Sequence, residues 1–271
     1  MSHTLPEAAL SVRELRGASE AIQVEELQLA TWGRHERDVV PRGILVALQL
    51  QGGLLAGAFH GTEMIGFVLG FPTRDPAVQH SHMLAVTPGQ RKSGAALALK
   101  SFQRTWCLER GITRVVWTFD PLRGLNANFN LCKLGAVIRH YYPDLYGPMS
   151  GINAGVPSDR VLAEWELRSA SVESALSGQL PVVNAQELPL INPAAPTAFM
   201  THLSAPRLGF QIPPDYGELL TQELALAQEW RRHGRDALQC YFAAGYAIRG
   251  FCRTPRNLYV LEREVPPTPA S

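Results

Sequence analysis

The sequence predicts a mixed α/β fold of the α+β kind: a mixed central sheet followed by a smaller C-terminal α+β extension. Three observations carry this. The 271 residues are 46% apolar and 18% charged, enough to bury roughly 70–75% of the unfolded surface without a disulfide or structural metal. Strand-like and helix-like segments alternate up to Leu167. The composition then shifts, and residues 169–205 become rich in Ser, Pro, Asn and Ala with no clear period. The expected organisation is a domain over 1–168, a linker-like segment over 169–206, an extension over 207–264 and a disordered tail over 265–271.

Val12 to Leu15 reads as a short first strand. Ser19 is placed to cap a helix running to Trp32, with Ile22, Val24, Leu27, Leu29 and Ala30 roughly on one side. A second helix starts at Pro41 and stops at Gly52-Gly53. Leu54 to Phe59 and Met64 to Phe71 form a hairpin around His60, Gly61 and Thr62. A strand from Val78 to Val86 leads through Thr87, Pro88 and Gly89 into a long helix from about Ser93 to Glu109. Arg114 to Phe119 is a strand ending at Asp120-Pro121. A helix around Asn126 to Leu134 closes at Gly135, and Ala136 to Tyr142 and Arg160 to Leu167 complete the sheet. In the extension, Leu208 to Ile212 is a strand, Asp215 to Ala243 a helix or broken helix, and Ala247 to Arg253 and Leu258 to Glu262 are strands. This order repeats that of residues 114–167, so a degenerate half-repeat is an open expectation.

The formal net charge is +1, with 25 basic and 24 acidic residues and no like-charge run, which argues against a general nucleic-acid or anionic-membrane partner. Cys107, Cys132, Cys240 and Cys252 form no CxxC pair and no His cluster has zinc-finger spacing, so no metal is expected and the thiols read as reduced. The longest apolar run, Gly43 to Phe59, is broken by Gln49, Gln51 and a Gly pair. The N-terminus has no basic-then-apolar leader, and a cytoplasmic location is expected.

The most informative segment runs from Leu84 to Ala96. A strand enters a turn of small and basic residues and passes straight into a helix, so unpaired N–H groups converge at the positive end of the helix dipole, a geometry suited to a pyrophosphate. Gly94 lets an anion approach the backbone and Ala96 keeps the first helical turn slim. Arg91 and Lys92 add positive charge. The segment is neither a GxxxxGK[ST] loop nor GxGxxG.

Arg91, Gly94 and Ala96 fill the (Arg/Gln)-x-x-Gly-x-(Gly/Ala) signature that resembles the GNAT acyltransferase superfamily, within a GNAT-like order of elements over about 11–168. Downstream, Val116 to Leu122, Asn126 to Asn130, Lys133 to Ala136 and Asn153 to Arg160 with Glu164-Trp165 look like one bacterial branch, often associated with N-acylamino-acid racemases, some members of which are N-succinyltransferases. The resemblance continues at Ile212-Pro213, Trp230-Arg231 and Gly245-Tyr246. It implies acetyl-CoA or succinyl-CoA as donor and a small-molecule primary amine as acceptor, the α-amine of an amino acid in this branch, with a homodimer as an option.

The resemblance further implies that Leu84, Ala85 and Val86 pair with pantetheine, and that the turn from Arg91 through Lys92, Ser93, Gly94 and Ala95 to Ala96 holds the pyrophosphate. The position of the usual glutamate base falls on His80. His80 and His82 share one face of an alternating strand, and an imidazole suits proton abstraction; ordinary sheet histidines are the alternative. Asp120, at the end of the next strand, is a second candidate base or a helix-opening residue. Leu131 stands where many relatives carry a tyrosine acid, which leaves Tyr141, Tyr142, Tyr146 or water to protonate the thiolate. Asn126 and Asn128 are candidates for CoA or substrate contacts or for helix capping. Arg123 and Arg160 are candidate carboxylate grips or members of structural ion pairs. A noncatalytic acyl-CoA-binding protein, or an acetyltransferase of a protein or antibiotic amine, is the rival reading.

Overall fold

A computed structural model describes residues 9–32, 39–149, 154–180 and 183–264. The chain divides between Val116 and Trp117 into two compact units. The expected tail over 265–271 and Asn153 lie outside the described residues.

In the first unit, β1 (Leu10–Glu14), β2 (Leu54–His60), β3 (Glu63–Pro72) and β4 (Val78–Val86) pair antiparallel in sequence order, and β4 pairs in parallel with the start of β5 (Arg114–Phe119). Six consecutive residues of β2 and six of β3 are buried, as befits strands covered on both faces. On one face lie α1 (Gly17–Trp32) and α2 (Arg42–Leu50), whose Ala21, Val24, Leu27 and Leu45 join Leu55, Phe59, Phe67 and Leu69 in one apolar cluster. The stripe of α1 differs from the expected one. Ile22 and Leu29 are exposed, whereas Gln28 is buried and pins Val40, two residues before α2, with hydrogen bonds of 2.8 and 3.2 Å. α3 (Ala95–Glu109) buries Ala95, Leu99, Lys100, Gln103, Trp106 and Cys107 along a stripe with helical spacing.

The second unit takes in the end of β5, then α4 (Gly124–Asn128), a π-turn over Phe129–Lys133, β6 (Val137–Tyr142), β7 (Arg160–Glu166) and α5 (Ala170–Leu176). It continues with β8 (Arg207–Gln211), α6 (Tyr216–Gln222), α7 (Leu224–Ala243), β9 (Tyr246–Cys252) and β10 (Leu258–Arg263). Its strands lie in the order β7-β6-β9-β10-β8, and the end of β5 lies beside β7, with Trp117 edge-on to Trp165 at 6.1 Å. The boundary expected near residue 170 therefore does not coincide with the division of the structure. Strand pairing bridges it: Ile138 of β6 pairs with Ile248 of β9, and α7 packs on β6. The segment over 169–206, expected to be a linker with short elements, holds the seven-residue α5, which Ser169 caps by accepting a hydrogen bond from Val172 N.

Candidate active site

In the first unit, β4 ends at Val86 and a 3-10 turn (Pro88–Gln90) carries the chain to Gly94, the N-cap of α3. Gly94 has φ +84°, the left-handed region that a side chain resists, and a Cβ built there would meet no atom within 4 Å. The glycine is required by the backbone, and the space above it is open. Ala98 N is the amide that donates back to Gly94 O, while Ala95 N turns to Ser93 Oγ at 3.3 Å. The preceding first-turn amides face the N-terminus of a 15-residue helix, the dipole end that favours phosphate. Arg91 and Lys92 are exposed beside this turn. The residues present fit the diphosphate of an acyl-CoA.

Within the first unit the register of β4 with β5 runs from Val78 opposite Arg114 to His80 opposite Val116, and its register with β3 continues to Val86. Leu84, Ala85 and Val86 lie on the C-terminal stretch of β4, opposite Val68, Phe67 and Gly66 of β3. The β3 register shifts between Leu69, opposite Met83, and Gly70, opposite Ser81, so His82 is the bulged residue. Bulges of this kind re-aim side chains near active sites. His80 and His82 do share a face: their rings lie 6.2 Å apart, and Phe71 stacks on His80 at 4.9 Å and tilts against His82 at 5.6 Å. Burial, with the nearby charges of His82 and Lys100, pulls the His80 imidazole down to about 4. At neutral pH it is unprotonated, the form a general base needs.

The opposite face of β4 is polar beneath the sheet. Lys100 Nζ donates to Ser81 Oγ at 2.9 Å and to Gln103 Oε1 at 3.0 Å, and Gln103 Nε2 donates to Gln79 Oε1 at 2.7 Å. Burial lowers Lys100 to about 7 and raises the neighbouring Cys107 thiol to about 12.

In the second unit, Asp120 is buried and gripped side-on by Arg231 of α7, with Nη1–Oδ1 at 2.9 Å and Nη2–Oδ2 at 2.6 Å, while Oδ1 also accepts from Leu122 N. Burial alone would lower the Arg231 pKa, but the Asp120 carboxylate outweighs it and holds it above the ordinary arginine value. This geometry assigns Asp120 to an ion pair rather than to proton abstraction. A second pair repeats the device: the fully buried Asp159 accepts from Arg235 Nε at 2.9 Å, from Tyr141 Oη at 2.6 Å and from Asp144 N at 3.0 Å. Burial followed by the Asp159 charge raises the Tyr141 hydroxyl well above its ordinary value, a poor setting for an acid. Tyr146 is exposed, with its hydroxyl 2.9 Å from Thr118 Oγ1. Leu131 is buried. Asn126 is exposed on α4, and Asn128 is half-buried at the end of that helix. Arg123 packs at the start of α6, its Nη1 occupying the space where a Cβ on Gly217 would sit. Arg160 keeps a half-buried guanidinium among neutral groups.

No protein-family model and no curated protein sequence matches the chain. Solved structures do. A GNAT-family acetyltransferase from Desulfovibrio desulfuricans matches with a TM-score of 0.50 and 17% identity, over 59% of this chain and 99% of that one. The ribosomal-protein-S18-alanine N-acetyltransferase from Escherichia coli matches with a TM-score of 0.50 and 12% identity, over 60% of this chain and 96% of that one. The chain has the GNAT acyltransferase fold.

The GNAT fold accounts for the glycine turn before α3, which was legible in the sequence. In the first unit Phe71 and Lys100 were not expected near the candidates, nor in the second were Arg235 and the pairing of Tyr141 with Asp159. Tyr141 was a candidate acid, and Asp159 and Arg231 lay in motifs that carry the resemblance. Among the described residues no group of three or more His, Cys, Asp or Glu is arranged to hold a metal, and no helix is long and apolar enough to cross a membrane.

Proposed function

We propose that the chain is an acyl-CoA-dependent N-acyltransferase that moves an acetyl or succinyl group to a primary amine. The α-amine of an amino acid is the acceptor, as in the racemase-associated branch it resembles, and the reaction is cytoplasmic. The observation that carries this reading is the left-handed, open Gly94 turn at the head of α3, directly after the strand that bears His80.

In the reaction, the amine nitrogen attacks the thioester carbon, the C–S bond breaks, and the amide and a thiolate form. His80 takes the proton that the amine must lose, directly or through water, with His82 beside it. Amides of the β4 end orient the donor, and Arg91, Lys92 and the first turn of α3 hold its diphosphate. Asn126, Asn128 and Arg123 are assigned to CoA or acceptor contacts in the second unit. The thiolate, with a pKa of ~8.5 by analogy with cysteine, takes a proton from water without a dedicated acid. A homodimer would use a surface other than the β6 side already paired with β9.

Calorimetry with CoA and with acetyl-CoA tests the reading. Binding with a rise in melting temperature is expected for the wild type, and Gly94→Val should abolish it while the protein stays folded. A well-folded wild type that binds neither ligand overturns the proposal. A wild type that binds both but transfers no acyl group to any amine would support the acyl-CoA-binding alternative.

A further inference from the structure

Arg160, the first residue of β7, is set among groups that leave its charge unanswered. Its Nη1 donates to the Asp159 carbonyl at 2.8 Å, its Nη2 meets Met149 Sδ at 3.1 Å, and its guanidinium lies over the Tyr146 ring at 5.4 Å. All three partners are neutral, and among the described residues no carboxylate forms an ion pair with it. The two carboxylates whose field reaches Arg160, Asp120 and Asp159, are already held by Arg231 and Arg235. Three guanidinium groups thus face two carboxylates, and one positive charge is left over. The same cluster has a surplus donor, because the buried Nε of Arg231 has no hydrogen-bond partner among the described residues.

A guanidinium partly withdrawn from water without a counter-anion is costly to keep. The cost is recovered when an anion with two coplanar oxygens arrives, which a guanidinium matches as a two-pronged donor. We propose that Arg160 is the receptor for a substrate carboxylate and so sets substrate preference. The inference rests on the acyl-transfer reading. The carboxylate has two sources of the same chemistry: the α-carboxylate of an amino-acid acceptor, or the distal carboxylate of a succinyl donor. Exposed Tyr146, whose ring underlies the guanidinium, forms one wall of the receptor.

Paired substrates that differ only in that group test the proposal. Phenylalanine is compared with phenylalaninamide, in both enantiomers, and succinyl-CoA with acetyl-CoA, for the wild type, Arg160→Met and Arg160→Lys. If Arg160 reads the acceptor, the wild type should favour the free acid over the amide by about 10-fold or more in kcat/KM. Arg160→Met should level the two, and Arg160→Lys should keep part of the preference. If it reads the donor, the preference for succinyl-CoA over acetyl-CoA should level instead. Thermal shift with succinate as a probe gives a readout that needs no turnover: stabilisation of the wild type and none of Arg160→Met. Should Arg160→Met melt early, Arg160→Lys carries the comparison. A folded variant with both preferences and the succinate shift intact overturns the receptor, as does a wild type that shows none of the three. Failure of the wild type to bind CoA would instead overturn the acyl-transfer reading, and the succinate arm would still decide the role of Arg160.

Discussion

His80 shows how one imidazole is prepared for work by its surroundings. Phe71 covers one side of it, and His82 and Lys100 add charges that disfavour its protonation. Replacing His80 by alanine is expected to lower kcat by ~10² or more with CoA affinity nearly intact; an unchanged kcat would remove it as the base. Its depressed pKa also sets the pH dependence. Its acid limb in kcat/KM should fall near pH 4, well below the ordinary imidazole value of about 6.5, and NMR titration of the ring should give the same midpoint. For stability the sign follows from linkage. A folded-state pKa below the unfolded one means that the unfolded chain binds the proton first, so the His80 contribution is complete above about pH 6.5 and lost as pH falls through about 4. Urea melts of wild type and His80→Ala across that range should converge toward acid. The shared face of His80 and His82 was legible because a strand alternates; the bulge at His82 and the cover by Phe71 were not, since both depend on the register with β3.

At the scale of elements, α7 is the helix that holds the others. It supplies Arg231 to the end of β5 and Arg235 to the residue before β7, across 111 and 76 positions of sequence. Separations of that kind leave no local pattern, which explains why Asp120 read as a candidate base when only its place at a strand end was visible. Asp120→Asn and Arg231→Met should each cost about 3–5 kcal/mol in urea unfolding by stranding the buried partner, and Asp120→Leu combined with Arg231→Met should cost less than either alone. Strict additivity would show that the two side chains do not act as a pair. A stable Asp120→Asn protein with no turnover would return Asp120 to the chemistry. By contrast, the helix boundaries around α2 and α3 were readable from Pro41 and Gly94, whose backbone demands are local.

On the scale of the molecule, the second unit has a palindromic strand order. The end of β5, then β7 and β6, is answered across the Ile138–Ile248 pair by β9, β10 and β8. Each half runs strand, helix, strand, strand, and the glycine before each inner strand, Gly135 and Gly245, has a positive φ of +70° and +82°. The half-repeat suggested by the order of segments is a proposal, and sequence alone gave no hint that the halves would meet edge to edge. Truncation after Ser169 should therefore expose the β6 edge, strand Asp120 and Asp159 without their arginines, and give an aggregating product. A soluble truncated protein with unchanged rate and acceptor selectivity would count against that role. The same seam has a practical consequence. Its two halves are joined covalently only through the stretch between α5 and β8, so a gene cut there should yield two polypeptides, 1–180 and 181–271, that are each insoluble alone yet restore CoA binding when co-expressed, making the seam a reporter for fragment complementation.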